Sequence, residues 1–557
     1  MPIRPQDQFE DVKKKVVAGI ESAFPVSGRQ HELRVKNVEV KDNKDLGDFT
    51  AQIVAKNTGR SWTVPVVGDL QLVDKRTGKV LDTRKGATLA QVPKITDRFS
   101  YIVKGNEYQM DHIWRRKPGV YSRIKENGEL QAEFNLAKGK NFEIVFDPKK
   151  RKFNIGYANS TIPLYPVLKA MGATDDQLKA QWGKDILEAN RVKNELNVLR
   201  KFSKALGGSA KDSGQEAVER IKGNFANTEL SPETTEITLG TPSNKVDTGV
   251  LLRSANKLLS VSRGKTEPDN RDALKFKTLH GLGDLLFERI NKNSRRLNYK
   301  VRNNVDRRKK ITEVFSPQIY SGVIKSQFTE DSLAQLPDQN NPLDNINGAL
   351  RTTILGSGGI GSEQQIIASA KSVDPSHLGF LDTIYTPEGS RAGVTSHMAL
   401  GAGKRGTTPT TRVYDLKNKK STEVDAVTMS RSKVVMPDQV RWVNGVPRAR
   451  GNKVKALVGS DGFDEIPLSK ADYVFPVTSA IFGMGTNLVP FLQNNSANRI
   501  SMASRTLSQA VGLKDREPPL VQAEAAPGIS WDMAIGDGFS LHASEDGIVD
   551  RVGESEI

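Results

Sequence analysis

The stretch from residue 326 to residue 389 contains four short sequence motifs, or words: Ser326-Gln327-Phe328, Asp338-Gln339-Asn340-Asn341-Pro342-Leu343, Leu355-Gly356-Ser357-Gly358-Gly359 and Thr386-Pro387-Glu388-Gly389. The third word continues to Gly361 and suggests a phosphate-binding loop, as does Gly401-Ala402-Gly403-Lys404-Arg405-Gly406. A P-loop requires Ser or Thr after its Gly-Lys pair, so that a hydroxyl can reach Mg²⁺, but Arg405 stands there. The dinucleotide fingerprint requires a βαβ setting, which the first glycine loop lacks. Neither loop is therefore predicted to bind a nucleotide in these ways.

The composition around this stretch favours a large, basic protein without thiol chemistry. The chain has 557 residues, which predicts three or four domains, and a net charge of +17, which favours a polyanion or an acidic partner. It contains no cysteine, so disulfides, thiolate catalysis and Cys-ligated zinc are excluded. The six histidines are scattered without metal-binding spacing. No apolar run reaches the length of a membrane span, about 18 residues, and the N-terminus lacks the features of a signal peptide.

Hydrophobic periodicity predicts a mixture of helices and strands. Helical spacing occurs at residues 8–24, 175–206, 282–305 and 480–513, whereas alternation predicts strands at residues 32–103, 407–458 and 541–552. Residues 207–247 are rich in Gly, Ser, Thr, Pro and Asn and are predicted to form a loop-rich insertion. Because no steady βαβ alternation is present, the sequence predicts an α+β multidomain protein.

Three charged clusters leave alternatives open. Arg115-Arg116-Lys117 beside a Pro-Gly turn is either a solvated turn or a binding surface, and residues 292–310 carry nine Lys or Arg against one acid, Asp306. The latter is either a solvated helix face or a phosphate-facing surface. Asp461, Asp464 and Glu465 offer oxygen ligands suited to Mg²⁺, but an exposed turn is the favoured interpretation.

The four words together resemble the fork region of the β subunit of multisubunit RNA polymerases. Further words resemble the same subunit in family order: Lys94-Ile95-Thr96, Tyr101 to Glu107 and Arg116 to Tyr121 its protrusion, and Leu488 to Leu492, Ala497-Asn498-Arg499, Gln509-Ala510-Val511 and Pro519-Leu520-Val521 a later segment. The resemblance implies a protrusion at 1–124 and 266–322, a lobe at 125–265, a fork at 323–445, and a link towards the β body at 446–557 that includes a nucleotide-side helix at 480–513.

The resemblance also implies residue roles. Polar fork residues of the family contact the nascent RNA, where amides and backbone donors suit contacts that do not read sequence. The RNA-binding residues implied here are Gln327, Asp338, Gln339, Arg351, Pro387, Glu388 and Arg391, and Arg351 is also suited to bracing the fork. Asn498 and Arg499 are implied to approach the incoming nucleotide, since a guanidinium offers forked donors to phosphates. The alternative for Arg499 is a structural ion pair.

The chain also departs from the family pattern. Gly348, Ala349 and Leu350 stand where the bacterial enzyme has His, Lys and Arg, and Ser362 replaces another arginine. In the family these side chains, with a serine that is Thr353 here, build the rifamycin pocket. The sequence therefore predicts a polymerase that resists rifampicin.

The catalytic parts are expected on other chains. The family's magnesium loop, Asn-Ala-Asp-Phe-Asp-Gly-Asp, is absent, so no catalytic or metal-binding residue is expected here and Mg²⁺ is expected on a β′-like subunit. The chain ends well short of a complete β subunit, which suggests the N-terminal piece of a split β, as in giant bacteriophages; a truncated chain would have the same sequence.

The implied enzyme is a DNA-directed RNA polymerase, a nucleotidyltransferase that this chain alone would not reconstitute. The implied partners are a C-terminal β-like subunit, β′-like subunits, DNA template and nascent RNA, with no membrane. The implied location is the host cytoplasm or nucleoid. Whether a σ-like factor joins, and whether a virion packages the complex, stay open. The alternative function is a non-catalytic nucleic-acid-binding or regulatory protein derived from a β subunit.

Overall fold

The computed structural model describes residues 4–42, 49–209, 211–308, 310–338, 340–459, 462–515, 517–526, 528–537, 539 and 547–553; of residues 295–297 and 300 it describes the backbone alone. The chain forms two compact units, a larger one from Met1–Arg115 and Thr278–Ile557 and a smaller one from Arg116–Lys277. Helices and several separate sheets occur together, which confirms the predicted α+β class. The limits of the five predicted regions stay predictions.

The elements of the chain, in order, fall into three groups. The first part of the larger unit contains α1 (Pro5–Ser22), β1 (Val26–Ser27), β2 (His31–Val40), α2 (Phe49–Asn57), β3 (Thr63–Asp74), β4 (Val80–Pro93), β5 (Tyr101–Val103), β6 (Asn106–Met110) and β7 (His112–Arg116). The smaller unit contains β8 (Gly119–Ile124), β9 (Leu130–Asn135), β10 (Phe142–Asp147), β11 (Lys152–Tyr157), β12 (Ser160–Pro163), α3 (Leu164–Ala170), α4 (Asp175–Trp182), α5 (Lys184–Asn190), α6 (Glu195–Ala205), α7 (Gly214–Ala226), α8 (Pro232–Leu239) and α9 (Thr248–Ser262).

The rest of the chain returns to the larger unit. Its elements are β13 (Lys277–His280), α10 (Leu282–Val305), α11 (Ile311–Val314), α12 (Gln318–Glu330), β14 (Ala334–Gln335), α13 (Pro342–Leu350), β15 (Arg351–Thr353), β16 (Thr395–His397), β17 (Ala402–Arg405), β18 (Thr408–Asp415), β19 (Lys420–Asp425), α14 (Ala426–Ser430), β20 (Lys433–Val435), β21 (Val440–Val443), β22 (Val446–Ala449), β23 (Val454–Val458), β24 (Phe463–Ile466), β25 (Tyr473–Val474), α15 (Met484–Asn487), α16 (Ala497–Ser508), β26 (Glu524–Ala526), β27 (Ile529–Ser530) and α17 (Trp531–Asp537).

The core of the larger unit lies between three helices and a sheet. Phe9, Val12, Val16 and Ile20 line the buried face of α1, as their helical spacing predicts. That face packs with α10 and α12 against the antiparallel sheet β1-β2-β3-β4. A second cluster lies in the sheet β17-β18-β25-β20-β23-β24, in which β19 also pairs with β18. The fork-like part of the chain lies between these two cores in sequence.

The smaller unit has a core of its own. Its five strands form an antiparallel sheet in the order β12-β11-β10-β9-β8, as expected for neighbours joined by short turns. Phe134 and Phe142 stack across this sheet with ring centroids 4.2 Å apart, and α3, α6, α7 and α9 contribute apolar side chains to the same cluster. A buried core built from its own elements indicates that this unit is a domain.

The prediction of a loop-rich insertion at residues 207–247 was wrong. Helix α7 forms there because Ser213 and Glu216 make a reciprocal capping box: the Glu216 N–H donates to Ser213 Oγ at 3.2 Å and the Ser213 N–H to Glu216 Oε2 at 2.7 Å. Helix α8 begins after Ser231, whose hydroxyl accepts from Thr234 N. The small polar residues that suggested loops are helix caps.

Other predicted elements are shorter than expected. The helix predicted at residues 175–206 is three helices, interrupted first at Gly183, whose φ is +89°. The helix predicted at 480–513 is reduced to α15 and α16 with a 3₁₀ turn between them. Of the strands predicted at 541–552, residues 541–546 lie outside the described residues and 547–552 form no regular element.

Candidate nucleic-acid interface

The first feature of the candidate site is the start of α13. Asn341 caps this helix, since its Oδ1 accepts from Leu343 N at 3.0 Å, and Pro342 occupies the first turn where no N–H is needed. The Asn341 Nδ2 group donates to the backbone oxygens of Leu507 at 2.7 Å and Ser508 at 3.0 Å, at the end of α16. One side chain therefore begins α13 and fixes it to α16.

Ser508 is the point where three segments meet. Its Oγ accepts a hydrogen bond from Asn347 Nδ2 at 3.1 Å and from the hydroxyl of Tyr385 at 3.2 Å. The Tyr385 ring stacks on His397, with centroids 4.6 Å apart and an interplanar angle of 11°. Burial first, and then the nearby Arg351 charge, lowers the pKa of His397 to about 3, so the ring is neutral at physiological pH. The contacts join α13, α16 and strand β16.

Asp382 holds the residues that lead into the loop at 386–391, which begins with Thr386-Pro387-Glu388-Gly389. Its Oδ1 accepts from the N–H groups of Ile384 at 2.9 Å and Tyr385 at 3.2 Å, and its Oδ2 accepts from Gly483 N at 2.9 Å and Thr486 Oγ1 at 2.6 Å. Burial raises the pKa of this carboxyl, although all four hydrogen bonds oppose the shift. A single buried acid thus fixes the loop to α15.

The loop at 386–391 is closed at its base by hydrogen bonds, and its charged side chains are exposed. Thr386 Oγ1 donates to Thr395 O at 3.0 Å and accepts from Gly393 N at 2.8 Å, which ties its two ends together. Pro387 is half-buried, whereas Glu388 and Arg391 are exposed. The loop therefore presents two charged side chains to its surroundings, together with exposed Ser390 and the half-buried ring of Pro387.

Both charged residues of the loop have partners of opposite sign. Glu388 forms an ion pair with Arg505 of α16 at 3.4 Å, and Arg391 Nε donates to Glu363 Oε1 at 3.2 Å. Hydrogen bonds from Ser390 and then Arg391 hold the pKa of Glu363 below its usual range. The cation that the sequence predicts beside RNA is thus paired with a carboxylate, which leaves the local charge close to balanced.

Gln327 lies inside the larger unit. It is buried on α12, on the face that also carries Ile324 and Phe328, where its Oε1 accepts from Arg289 Nη1 at 3.2 Å and its Nε2 donates to Asp331 Oδ2 at 2.8 Å. Helical spacing around Gln327 was a signal in the sequence for this burial.

Arg351 also has its strongest contact inside the fold. Its Nε donates to Asp111 Oδ1 at 2.6 Å. Burial raises the pKa of Asp111 and the guanidinium opposes that shift, so the pair fits the bracing interpretation of Arg351. Of the other fork residues, Asp338 is exposed, and Gln339 lies outside the described residues.

Arg499 and Asn498 lie in the first turn of α16, and both are exposed. Arg499 contacts Met502 Sδ through Nη1 at 3.8 Å. Among the residues that the structure describes, no carboxylate forms an ion pair with Arg499, so the alternative of a structural ion pair finds no support there. Both side chains can reach a ligand without breaking an ion pair between described residues.

The cations beside the Pro-Gly turn are all in ion pairs. Arg115 Nη1 binds both oxygens of Glu288 at 2.7 Å, and its Nε and Nη2 groups donate to Ser357 O in the glycine-rich word. Within the smaller unit, Arg116 pairs with Glu133 and Lys117 with Glu233, each at 2.9 Å. These residues therefore build the fold, and Arg115 positions the glycine loop.

The other two clusters are only partly described. In the basic run, Arg295, Arg296, Lys300 and Lys309 are not described as side chains, and Asp306 accepts from the N–H groups of residues 29–31. In the acidic cluster, Asp461 lies outside the described residues, and Asp464 and Glu465 are exposed on β24. Across the described part of the chain, no group of three or more His, Cys, Asp or Glu is placed to hold a metal ion.

The structure thus brings together α13, the loop at 386–391 and α16, but leaves Gln327 apart, in the core beside Arg289 and Asp331. It also shows residues that sequence reasoning missed: Asp111, Asp382, Tyr385, His397 and Ser508. No motif marks them, because each acts through a partner distant in sequence. None of the described helices is long and apolar enough to cross a membrane.

Comparison with known proteins agrees with the fork-like resemblance. A family model described as RNA polymerase Rpb2, domain 3 matches residues 335–403, which include α13 and the loop at 386–391. The DNA-directed RNA polymerase subunit beta of Gloeobacter violaceus is 26% identical over 543 residues, covering 90% of this chain and 47% of that protein. The subunit of Thermosynechococcus vestitus is 25% identical over 588 residues, covering 98% of this chain and 51% of that protein.

A third relative gives the same picture. The subunit of Cyanidium caldarium is 25% identical over 540 residues, covering 89% of this chain and 48% of that protein. The chain therefore spans about half the length of the curated relatives it matches. These similarities do not bear on the predicted split of the subunit or on a bacteriophage origin. Along nearly all of its length the chain is similar to the β subunit of DNA-directed RNA polymerases. This similarity supports the interpretation that the chain is a β-like subunit of such an enzyme.

Proposed function

We propose that this chain is a β-like subunit of a multisubunit DNA-directed RNA polymerase and forms one wall of the cleft that holds DNA and RNA. The observation that carries the proposal is the similarity to β subunits, which extends over 90% of the chain in one relative and 98% in another. A net charge of +17 suits a surface that neutralises nucleic-acid phosphates. A non-catalytic regulatory protein, the alternative, has no comparable support.

In this proposal the exposed parts of the fork guide the nascent RNA. Asp338 and the loop at 386–391 offer polar groups and backbone donors, which suit contacts to phosphate and ribose. Gln339 lies outside the described residues and is assigned to the RNA from the resemblance alone. Arg351 supports the fork indirectly, through its hydrogen bond to Asp111. Buried Gln327 likewise supports it indirectly, through its hydrogen bonds with Asp331 and Arg289. The near balance of charge at Arg391 and Glu363 favours contacts that let RNA slide rather than bind tightly.

The nucleotide is assigned to the first turn of α16. The proposed reaction is attack of the RNA 3′ hydroxyl on the α-phosphate of a nucleoside triphosphate, with pyrophosphate leaving. The exposed guanidinium of Arg499 suits neutralisation of phosphate charge during this transfer, and the Asn498 amide can donate to the same group. When bound, Mg²⁺ would stabilise the entering and leaving oxygens. Its ligands are assigned to a β′-like partner, as the resemblance implies.

Exposed apolar side chains near α16 support a partner on this side. Phe491, Met502, Val511 and Leu513 are each more than half exposed, which is costly for a large apolar group unless another surface covers it. The remainder of a β-like subunit, whether on this polypeptide or on a second one, is the proposed cover. β′-like subunits, template DNA and RNA complete the assembly; a σ-like factor, a split subunit and a phage origin remain predictions from the sequence.

Reconstitution tests the proposal. An affinity-tagged chain isolated from its native source should co-purify with polymerase chains, and that complex should extend a primed RNA on a DNA template with Mg²⁺. The chain alone should not extend the primer, because the metal ligands are assigned elsewhere. Extension by the isolated chain would contradict the assignment of metal and chemistry to partners. A stable, nucleic-acid-binding chain that never associates with polymerase subunits would favour the regulatory alternative instead.

A further inference from the structure

A short β-ribbon stands on the sheet that follows the fork. Strands β21 and β22 pair in the register Val440 with Ala449, Arg441 with Arg448, Trp442 with Pro447 and Val443 with Val446. The turn residues Asn444 and Gly445 have φ values of +49° and +74°, the left-handed conformations of a tight hairpin turn. Side chains of this ribbon therefore alternate between two faces.

One face of the ribbon is anchored. Val440 is buried in the apolar cluster of the sheet, and Ala449 packs against the same cluster. Trp442 meets Tyr414 edge to face, with ring centroids 5.1 Å apart. A two-stranded hairpin alone is marginally stable in water, so these contacts fix the ribbon and its orientation. The Trp442 ring packs on this inward face, although the residue remains 38% exposed.

The opposite face concentrates arginine side chains. Arg441 lies directly opposite Arg448, and Arg450 follows on the same face; all three are exposed. Like charges that face each other across a strand pair destabilise it. Among the described residues no carboxylate forms an ion pair with any of the three. The fold thus tolerates an unfavourable charge arrangement that an anion would relieve.

The sequence around the ribbon strengthens this charge. Residues 437–455 contain five Lys or Arg and one acid, Asp438, whose Oδ2 accepts from Gln439 Nε2 at 2.6 Å. Arg450 donates to Val440 O through Nε at 3.1 Å, which fixes the guanidinium while leaving its other N–H groups outside that bond. A guanidinium held in this way loses less conformational freedom when it binds a phosphate.

We propose that the outward face of this ribbon, with Arg441, Arg448 and Arg450, binds the phosphate backbone of duplex DNA. Forked guanidinium donors match phosphate oxygens, and a two-stranded ribbon has a width that the major groove admits. A duplex fits better than a single strand, because the outward face offers no aromatic ring on which an unpaired base could stack. The choice of DNA over duplex RNA rests on the proposed function.

Salt-dependent DNA binding tests the ribbon. The full chain would be titrated against a fluorescently labelled 30-base-pair duplex at several salt concentrations, and compared with the Arg441→Gln/Arg448→Gln variant. Loss of two phosphate contacts should lower the slope of log K against log salt by about 2 and weaken binding roughly tenfold. The Arg441→Glu/Arg448→Glu variant should bind more weakly still. Unchanged intrinsic tryptophan fluorescence, to which Trp442 contributes as one of five tryptophans, and an unchanged circular dichroism spectrum would show that the variants remain folded.

A matched control keeps the result specific. Lys419→Gln/Lys420→Gln removes the same charge from two exposed residues that connect β18 to β19, the last residue of the turn and the first of β19, and should leave the slope unchanged. Equal losses in ribbon and control variants, or no loss in the ribbon variants, would overturn the proposal. A larger loss of affinity for single-stranded DNA or for duplex RNA than for duplex DNA would overturn the choice of ligand.

The two proposals can fail separately. If ribbon variants bind DNA normally while the co-purified complex extends RNA, the ribbon proposal is overturned and the proposed function stands. If no polymerase complex forms, the proposed function fails whatever the ribbon variants show, and the choice of DNA over RNA loses its basis.

Discussion

Substitution of Asp382 should loosen two segments that are about 100 residues apart in the chain. The carboxylate accepts hydrogen bonds from three backbone N–H groups and from the Thr486 hydroxyl, all in a buried environment. Asp382→Ala leaves these four donors without their acceptor, and each buried unsatisfied donor costs about 1–3 kcal/mol. The removed carboxylate no longer has to be desolvated, which offsets part of this cost. We expect a net loss of about 3 kcal/mol in local stability.

Hydrogen exchange followed by mass spectrometry measures this loss locally, which matters because a chain of two units need not unfold in one step. A loss of about 3 kcal/mol should accelerate exchange roughly hundredfold in peptides that cover residues 382–386 and 483–487. Thr486→Val removes one of the four bonds and should accelerate exchange about fivefold, for about 1 kcal/mol. Asp415→Ala, which removes an exposed turn acceptor elsewhere, is the matched control and should change neither peptide.

The result that would refute this reasoning is normal exchange in both segments of the Asp382→Ala protein. That outcome would mean that packing, and not the carboxylate, holds the loop to α15. Faster exchange at 382–386 alone would show that the carboxylate shapes its own turn but does not connect it to residues 483–487.

Three further predictions concern acid sensitivity, the nucleotide and an inhibitor. His397 has a folded-state pKa of about 3 against an ordinary value near 6.5, so the stability that its neutral ring contributes is present above pH 6.5 and lost as the pH falls towards 3. At pH 5 the loss should be about 2 kcal/mol, and His397→Phe, which keeps the stacking on Tyr385, should show a shallower pH dependence of urea unfolding. In the reconstituted polymerase, Arg499→Ala should lower kcat/KM for nucleotides about 10–100-fold. Arg505→Ala, the control, breaks a partly exposed ion pair on the same helix and should change kcat/KM by less than about fivefold. Equal effects of the two variants would contradict the assignment of Arg499 to the nucleotide. Rifampicin should inhibit that polymerase only at roughly hundredfold higher concentration than it inhibits a bacterial enzyme. The reason is that Gly348, Ala349 and Leu350 lack the polar side chains of the drug pocket, and Arg351 is held by Asp111. Inhibition at ordinary drug levels would refute this prediction.

Periodicity predicted the elements whose stability comes from one continuous apolar face. Helix α10 spans the predicted residues 282–305, and α1 begins and ends within about three residues of its predicted limits. Periodicity failed where polar residues stabilise the ends of helices. Ser213 and Ser231 begin helices in a segment whose composition predicted loops, because the same small polar residues occur at helix caps and in turns. Only the residues after each serine distinguish the two cases.

The candidate site was predictable in outline and not in its internal contacts. The words of the fork indicated α13 and the loop at 386–391, and a family model matches the residues that contain both. Resemblance assigned Gln327 to the RNA, although its helical register with Ile324 and Phe328 places the side chain in the core. Asp382 carries no signal of its own in the sequence, since two of the four groups that satisfy this buried acid come from Gly483 and Thr486, about 100 residues away.

The hydrogen bonds at Ser508 have a consequence for how the proposed RNA and nucleotide positions communicate. Ser508 ends the helix whose first turn contains Asn498 and Arg499, and its hydroxyl is shared by Asn347 of α13 and by Tyr385, which directly precedes the loop at 386–391. A displacement of the loop by RNA must therefore either break a hydrogen bond to Ser508 or move the end of α16. Because an α-helix is a stiff element, movement of its end displaces Arg499 about 14 Å away, at 1.5 Å per residue. Ser508→Ala removes the shared acceptor but keeps the helix, so it tests whether the two positions are mechanically connected through Ser508 or merely lie close together. If they are connected, the variant should raise KM for the nucleotide with little change in the stability of α16. An unchanged KM would place the two positions on independent elements.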